Sequence, residues 1–202
     1  MGAIKHSLLK AVTFIELMIS VVLLSVIILA INNIEVFSRH HLVSSDQRAK
    51  VQNEVSRCLE HITKTASSSI GNEASYGANT TVYVSPNSTY TTNLSFFTDT
   101  NGNGLRNPGA GDYWVRYNLN TTNYNLSYCS QCANAACASC SGTEEVLAQG
   151  ITTLSANKNF SQGNFINITV TGCWNPAKAC NTSDNPSITM STTLALPSLS
   201  TN

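Results

Sequence analysis

The chain is short of charged residues. Only 11% of its 202 residues are Asp, Glu, Lys or Arg, about half the share in an average soluble protein. The eleven basic residues equal the eleven acidic ones, so no excess of one sign points to nucleic acid or to an acidic partner. Ser, Thr and Asn take the place of charges, as in NTTVYVSPNSTYTTNLS at residues 79–95. Such a hydrated but almost uncharged surface favours an exported protein.

Signatures of catalysis are also missing. The histidines His6, His40, His41 and His61 lie near the N-terminus or in a predicted helix, with no Ser, Cys or Asp constellation beside them. The sequence contains no nucleophile–base pair, phosphate-binding loop or dinucleotide fingerprint. We therefore predict that the protein is not an enzyme.

Proline and glycine are absent from Val12 to Ser69. Because these two residues are the usual helix breakers, the segment predicts one long helix, and Gly71 is suited to end it. Its first part is apolar from Ala11 to Ile31, which is long enough to cross a membrane. The run continues without the small-residue cleavage site of a secretory signal peptide.

Two lysines set the predicted orientation of this span. Lys5 and Lys10 precede the apolar run, and positive flanks stay on the cytoplasmic side of a membrane. The chain after Ile34 is therefore expected outside the cytoplasm. We predict a membrane-spanning helix at residues 12–34 and an amphipathic continuation at residues 35–70.

The continuation is amphipathic because its apolar residues recur on one helical face. That stripe consists of Val51, Val55, Cys58, Leu59, Ile62 and Ala66. Residues three, four, seven and eight positions apart share one side of a helix. We expect this face to pack on a globular domain.

The chain from residue 71 to residue 202 is predicted to form that domain. Its short alternating runs separated by turn residues read as strands, namely TVYVS, LSFFT, YWVRYNL, YNLSY, EEVLA, FINITVTGC and ITMSTTLAL. One long helix followed by consecutive strands predicts an α+β fold in which an antiparallel sheet packs on the helix.

The chain has seven cysteines, four of them in the motif CSQCANAACASC. Two C-x-x-C units would favour zinc or an iron–sulfur cluster in the cytosol. Here the four-residue gap is shorter than usual zinc spacings, and thiols outside the cytoplasm oxidise. We therefore predict two local disulfides and keep zinc as the less favoured alternative; the connectivity stays open. The four candidates are Cys129, Cys132, Cys137 and Cys140.

The remaining three cysteines divide into a pair and a single residue. Cys173 and Cys180 bracket WNPAKA, which predicts a third disulfide closing a C-terminal loop. Cys58 is left over on the apolar stripe of the helix. It is expected to be a buried thiol or a partner for one of the others.

DTNGNG at residues 99–104 matches the first half of a calcium loop. Asp99, Asn101 and Asn103 supply oxygen ligands at positions 1, 3 and 5, with glycine at position 6. The glutamate expected at position 12 is missing, because Ala110 occupies that place, although Asp112 could substitute. Calcium binding is one hypothesis, and a plain Asn-Gly turn between strands is the alternative.

The N-terminal stretch AVTFIELMISVVLL resembles the prepilin cleavage motif of type IV pilins and type II secretion pseudopilins. The resemblance implies a leader at residues 1–11, a cut between Ala11 and Val12, and methylation of Val12. Thr13 follows, and Glu16 takes the place of the family's glutamate. The family usually has Gly and Phe on either side of the cut, so Ala11 and Val12 are departures from its pattern.

The resemblance also implies a role for Glu16 in assembly. A buried carboxylate is tolerable when it is paired, and the family's glutamate meets the N-terminal amine of a neighbouring subunit. Glu16 would then set the register of the subunits in a filament. The alternative is a glutamate that snorkels to the cytoplasmic headgroups.

Later segments are similar to the minor pilin and pseudopilin group typified by PilW and GspJ. They are residues 94–129, EEVLAQGITTLSANKNF, ITVTGCWNP and ITMSTTLAL. This resemblance implies a pilin-like fold and a minor structural subunit of a type IV pilus or a type II secretion pseudopilus.

The implied partners are other pilin or pseudopilin subunits, prepilin peptidase and the inner-membrane assembly platform. No direct sequence signal points to nucleic acid, and we predict no required cofactor. The implied location is the inner membrane, crossed once, with the C-terminal domain in the periplasm or outside the cell. The alternative is an uncut membrane anchor that displays a Cys-rich β-domain for binding a metal or a surface ligand.

Overall fold

The computed structural model describes residues 13–69, 82–86, 91–100, 111–159 and 165–196. Within these ranges one helix, α1 (Phe14–Ser67), precedes eight strands. They are β1 (Val82–Pro86), β2 (Thr91–Thr98), β3 (Tyr113–Asn120), β4 (Asn125–Cys132), β5 (Glu144–Gln149), β6 (Ile151–Asn159), β7 (Phe165–Cys173) and β8 (Ser187–Ala195). All strand pairings are antiparallel, which confirms the predicted α+β class.

The chain forms two compact units, residues 1–43 and residues 44–202. In the described part of the first unit, every large apolar side chain from Phe14 to Val43 is more than half exposed. The mean hydropathy of its most apolar 18-residue window is 2.9. This part of α1 is therefore long and apolar enough to cross a membrane, as predicted.

In the second unit, α1 buries one face. Five residues of the predicted stripe are buried, namely Val51, Val55, Cys58, Ile62 and Ala66. Leu59 is partly buried and packs against the same cluster. Because these positions share one side of the helix, a single face of α1 contributes to the core and the predicted packing is confirmed.

The strands form two sheets, where the sequence predicted one. The first sheet has the order β1-β2-β3-β4-β5 and the second has the order β6-β7-β8. Gly150 separates β5 from β6 and has a positive φ of 74°, a conformation that glycine adopts without steric cost. Strand β6 was not among the predicted strands, which pass from EEVLA directly to FINITVTGC.

Two contacts hold the chain at this junction. The Gly150 carbonyl accepts a hydrogen bond of 2.8 Å from the Cys173 amide, and the Ile151 amide donates one of 2.9 Å to the Tyr124 carbonyl. A Cβ atom at Gly150 would lie 2.6 Å from the Cys173 carbonyl oxygen. The junction therefore requires glycine for both its backbone angle and its close contact.

Strand β7 lies at the centre of the second sheet and alternates between faces. Ile166, Ile168 and Val170 are fully buried, as the two-residue period of a strand requires. Gly172 continues that inward series. A Cβ atom there would lie 2.7 Å from Val55 Cγ2, so the glycine allows α1 to pack closely on β7.

Helix α1 also covers the outer edge of β5. The Arg57 guanidinium donates to the Leu147 carbonyl, and Glu54 Oε2 accepts a hydrogen bond of 3.3 Å from the Gln149 amide. Polar groups at a free strand edge can pair with another chain. These two side chains occupy part of that edge.

Candidate functional site

The start of α1 is built around Thr13 and Glu16. Glu16 Oε2 accepts hydrogen bonds from the Thr13 amide at 2.8 Å and from Thr13 Oγ1 at 2.9 Å. The Glu16 amide lies 3.3 Å from Thr13 Oγ1, to which it donates. This reciprocal pattern is a capping box, Thr-x-x-Glu, in which each side chain satisfies an amide left free at a helix N-terminus.

The capping box gives Glu16 a local role that the sequence interpretation did not include. The pattern TFIE is visible in the sequence, and recognition of the capping box would have found it. Among the described residues, the two donors from which the Glu16 side chain accepts both bond to Oε2, so Oε1 stays available to a further donor. Ala11 and Val12, the predicted processing residues, lie outside the described residues.

Six cysteines form three disulfides. Cys129 pairs with Cys140, Cys132 with Cys137, and Cys173 with Cys180. The two local bridges and the third bridge agree with the prediction, and the nested connectivity is new. Cys58 is a free, buried thiol, and its burial raises its pKa to about 12.

The local bridges involve a strand as well as a loop. Cys129 and Cys132 are part of β4, which extends four residues beyond the predicted run YNLSY. The bridges therefore fasten the end of a paired strand to the segment that leads to β5. The extension was missed because Gln, Ser and Cys carry little β-propensity.

The nested bridges form a small second core. Cys129, Cys132 and Cys137 are almost fully buried and pack with Phe97 and Trp114. The Cys132 Sγ atom lies 3.5 Å from the Cys129 Sγ atom. The Sγ atoms of all three residues lie within 4.8 Å of one another. The sulfur atoms of these three cysteines are thus close together in one buried region.

Arg116 on β3 lies beside this cluster. Its Nη1 donates to the Cys137 carbonyl, and its Nη2 forms a 3.2 Å ion pair with Glu144 Oε1. Glu144 Oε1 also accepts a 3.3 Å hydrogen bond from Ser127 Oγ. Sequence analysis missed Arg116, since only the fold brings it next to the cysteines.

The predicted calcium ligands fall partly outside the described residues, which exclude Asn101 and Asn103. Asp112 is buried, and its Oδ1 accepts hydrogen bonds from the Thr100 amide at 3.1 Å and from Thr100 Oγ1 at 3.0 Å. These bonds close the base of the connection between β2 and β3. They give Asp112 a turn-closing role, and calcium binding through Asp99 and Asp112 stays a prediction.

Comparison with known proteins identified no relative of this chain. Protein-family models, curated proteins and solved structures contain no match to this chain. Function is therefore inferred from the residues and their geometry.

A polar cluster joins α1 to the first sheet. Tyr117 OH lies 2.8 Å from His61 Nδ1 and donates a 2.7 Å hydrogen bond to Thr65 Oγ1. The Tyr128 ring contacts the His61 ring edge to face at 4.6 Å. Burial raises the pKa of Tyr117 and lowers the pKa of His61. The bonds satisfy a buried hydroxyl, so the cluster fixes the position of the helix on the strands.

A cleft of about 510 Å³ opens beside Trp174, a size within the range of ligand pockets. Its lining includes Lys50, Glu54, Asn123 and Gln149. Trp174 is 42% exposed, and Lys50 Nζ lies 5.5 Å from the centroid of its ring, a cation–π distance. An indole among amides and opposite charges is suited to an uncharged polar ligand. The cleft was not predictable from the sequence, because its lining residues are distant in the chain.

The loop that carries Trp174 is fixed by a buried asparagine. Asn185 donates from Nδ2 to the Asn175 and Ala179 carbonyls, both at 2.9 Å, and its Oδ1 accepts a 2.7 Å bond from the Asn175 amide. Trp174 itself donates from its amide to the Pro186 carbonyl at 3.1 Å. The indole is therefore presented by a loop with a defined backbone.

Proposed function

We propose that this chain is a minor structural subunit of a type IV pilus or a type II secretion pseudopilus. In this proposal it is cut after Ala11, methylated at Val12 and assembled through residues 12–34. The observation that carries the proposal is the apolar part of α1, where large side chains are more than half exposed and a carboxylate lies near the start. Such a surface needs lipid or neighbouring apolar helices to cover it.

The remaining fold supports the proposal. Helix α1 contributes one face to the core of an antiparallel β-domain that is held by disulfides. Disulfides persist in oxidising compartments, which suits a β-domain in the periplasm or outside the cell. The proposed location is the inner membrane before assembly, with a cytoplasmic N-terminus, and the filament afterwards.

The proposed partners follow from this assignment. They are prepilin peptidase, the inner-membrane assembly platform and other pilin or pseudopilin subunits. The role is structural, with no catalytic step assigned to the chain. Glu16 is proposed to pair with the amino group of Val12 in a neighbouring subunit, because a charge in an apolar helix bundle is stabilised by an opposite charge.

Processing is tested by the mass and N-terminal sequence of the full chain purified from its native membrane. We expect a product that lacks the eleven leader residues and begins at N-methyl-Val12. A chain that begins at Met1 or Gly2 would contradict the proposal. It would also remove the amino group with which Glu16 is proposed to pair.

The role of Glu16 is tested separately, because the capping box offers a competing explanation. Glu16→Gln keeps a side-chain acceptor, and glutamine also serves in capping boxes, but it removes the charge. We expect Glu16→Gln to insert into the membrane at the wild-type level and to be absent from filaments. Glu16→Ala removes both functions and serves as the comparison.

The matched control changes the cap and keeps the charge. Thr13→Ala removes the capping hydroxyl, which costs about 0.5–2 kcal/mol of helix stability, and should still assemble. If Glu16→Gln assembles normally while Thr13→Ala and Glu16→Ala do not, the carboxylate acts as a cap alone. Filament incorporation is measured by immunoblotting sheared filaments against the membrane fraction.

The second candidate function is an uncut membrane anchor that displays the β-domain as a binding module. The cleft beside Trp174 favours it, because an exposed indole among amides is a common feature of ligand sites. The mass measurement separates the two candidates. An uncut chain would make the binding module the better proposal.

A further inference from the structure

We propose that the reduced chain binds one Zn²⁺ through Cys129, Cys132, Cys137 and Cys140, before these residues form their disulfides. The inference does not depend on the proposed filament function. Binding would convert four thiols and one Zn²⁺ into a zinc tetrathiolate and release four protons.

The sulfur atoms of these cysteines lie at distances that suit a zinc site. A tetrahedral zinc site with Zn–S bonds of about 2.3 Å places its sulfur atoms roughly 3.8 Å apart. The Cys129 and Cys132 Sγ atoms are 3.5 Å apart, and those of Cys129, Cys132 and Cys137 lie within 4.8 Å of one another. Cys140 is bonded to Cys129 but lies outside this group of three. Three of the four sulfur atoms are thus already collected around one volume, and Cys140 is joined to them through Cys129.

The fold compensates for the short spacing of the two C-x-x-C units, which is unfavourable to zinc in the sequence alone. Cys132 and Cys140 face each other in an antiparallel bridge, so the chain folds back sharply between the two C-x-x-C units. Cys137 adopts a left-handed φ of 45°, and its amide donates a 2.8 Å hydrogen bond to Asn134 Oδ1. The fold therefore brings the two units together across the four-residue gap.

Arg116 places a positive charge beside the cysteine cluster. A zinc tetrathiolate has a net charge of −2, and a nearby cation would stabilise it. Arg116 already contacts the Cys137 carbonyl. Its Nε is buried and has no hydrogen-bond partner among the described residues. Buried donors usually have partners, and a cysteine thiolate would supply one.

Zinc binding would solve a pairing problem that the composition creates. The chain has seven cysteines, and Cys58, Cys173 and Cys180 lie outside the proposed site. Zinc bound in a reducing compartment would hold these four thiols together until the chain enters an oxidising compartment, where they could otherwise pair with the other three. Later, two disulfides of an exported oxidant protein would accept four electrons from the four thiolates and four protons from water. The chain would then form its two nested bridges and release Zn²⁺.

The test uses the full chain in detergent, reduced with a phosphine under anaerobic conditions and then freed of reductant. Co²⁺ is titrated first, followed by Zn²⁺. We expect one equivalent of Co²⁺ to give the visible spectrum of a tetrahedral four-sulfur site and one equivalent of Zn²⁺ to abolish it. Native mass spectrometry should show one zinc per chain.

Two variants assign the ligands. Cys137→Ser should lose the four-sulfur cobalt spectrum and weaken zinc binding by at least 10-fold. The double variant Cys173→Ser with Cys180→Ser, which removes the other cysteine pair, should keep both at the wild-type level. Arg116→Met should keep the spectrum and weaken binding about 10-fold, the usual effect of losing a group that supports the ligands.

The unsubstituted chain decides the question even if a variant fails to fold. Absence of the four-sulfur cobalt spectrum in the reduced wild-type chain would overturn the proposal. The same conclusion would follow if the spectrum survived Cys137→Ser and disappeared in the Cys173→Ser and Cys180→Ser variant.

Discussion

Replacing Gly172 by alanine should separate α1 from β7. The added Cβ atom would lie 2.7 Å from Val55 Cγ2 and 3.2 Å from Val51 Cγ1. Ordinary van der Waals contact begins at about 3.5 Å, so the helix or the strand must move by several tenths of an ångström. Both side chains lie in the buried core. Overpacking of this kind costs about 1–3 kcal/mol, and each kcal/mol lowers the Tm of a chain of this size by about 2–4 °C.

A double-mutant cycle tests the physical cause. Val55→Ala alone removes two buried methyl groups, a loss of about 1.6 kcal/mol in transfer free energy plus a cavity term. In the double variant, the new methyl group at residue 172 occupies part of the space that Val55 leaves. We therefore expect the double variant to be destabilised by about 1–2 kcal/mol less than the sum of the single variants.

The matched control is Val51→Ala, because Val51 is the more distant of the two valines. Its coupling with Gly172→Ala should be smaller than that of Val55→Ala. The measurement is denaturant unfolding of the full chain in detergent, followed by near-ultraviolet circular dichroism. Additivity within about 0.5 kcal/mol for the Val55 cycle would refute the close-packing argument.

Three further predictions concern titration and cysteine chemistry. Burial lowers the pKa of His61, so the unfolded chain binds more protons than the folded chain at pH values below the unfolded pKa of about 6.5. The free energy of unfolding should therefore fall as the pH drops from 7 toward 5. Denaturant titrations of His61→Gln should show a weaker pH dependence. Burial raises the pKa of Cys58 to about 12, so this thiol should resist iodoacetamide at pH 8 in the folded chain. Mass spectrometry should show one added alkyl group when the chain is unfolded without reduction. Modification of the folded chain would contradict the burial. Removing the bridge across a sequence separation of 7, with Cys173→Ser and Cys180→Ser, should cost about 2.5 kcal/mol by loop entropy; an unchanged unfolding midpoint would contradict this estimate.

Local periodicity explains why the helix was predictable. The absence of proline and glycine from Val12 to Ser69 and the apolar stripe from Val51 to Ala66 depend only on near neighbours in the chain. The structure places α1 at Phe14–Ser67 and buries five of the six stripe residues, within the usual uncertainty of helix ends. The capping box of Thr13 and Glu16 is equally local, so the sequence contained it as well.

The three disulfides were predictable from the sequence only in part. Spacing in the sequence was enough to predict two local bridges and a third between Cys173 and Cys180. It could not choose among the possible pairings, because four cysteines allow three connectivities. The nested pairing depends on Cys129 and Cys132 lying within β4 and on the chain turning back after Asn134. Both features belong to the folded structure and cannot be read from the spacing of the cysteines.

By itself, the sequence determined the long helix, its apolar first part, its buried stripe and the antiparallel α+β class. These features follow from the order of residue types over a few helical turns or one strand. Only the tertiary structure decided that the strands divide into two sheets at Gly150, that Arg116 lies beside the cysteine cluster, and that Lys50 lies over the Trp174 ring beside a cleft. The physical reason is that each of these contacts joins residues far apart in the chain, and packing of the whole domain sets their distance.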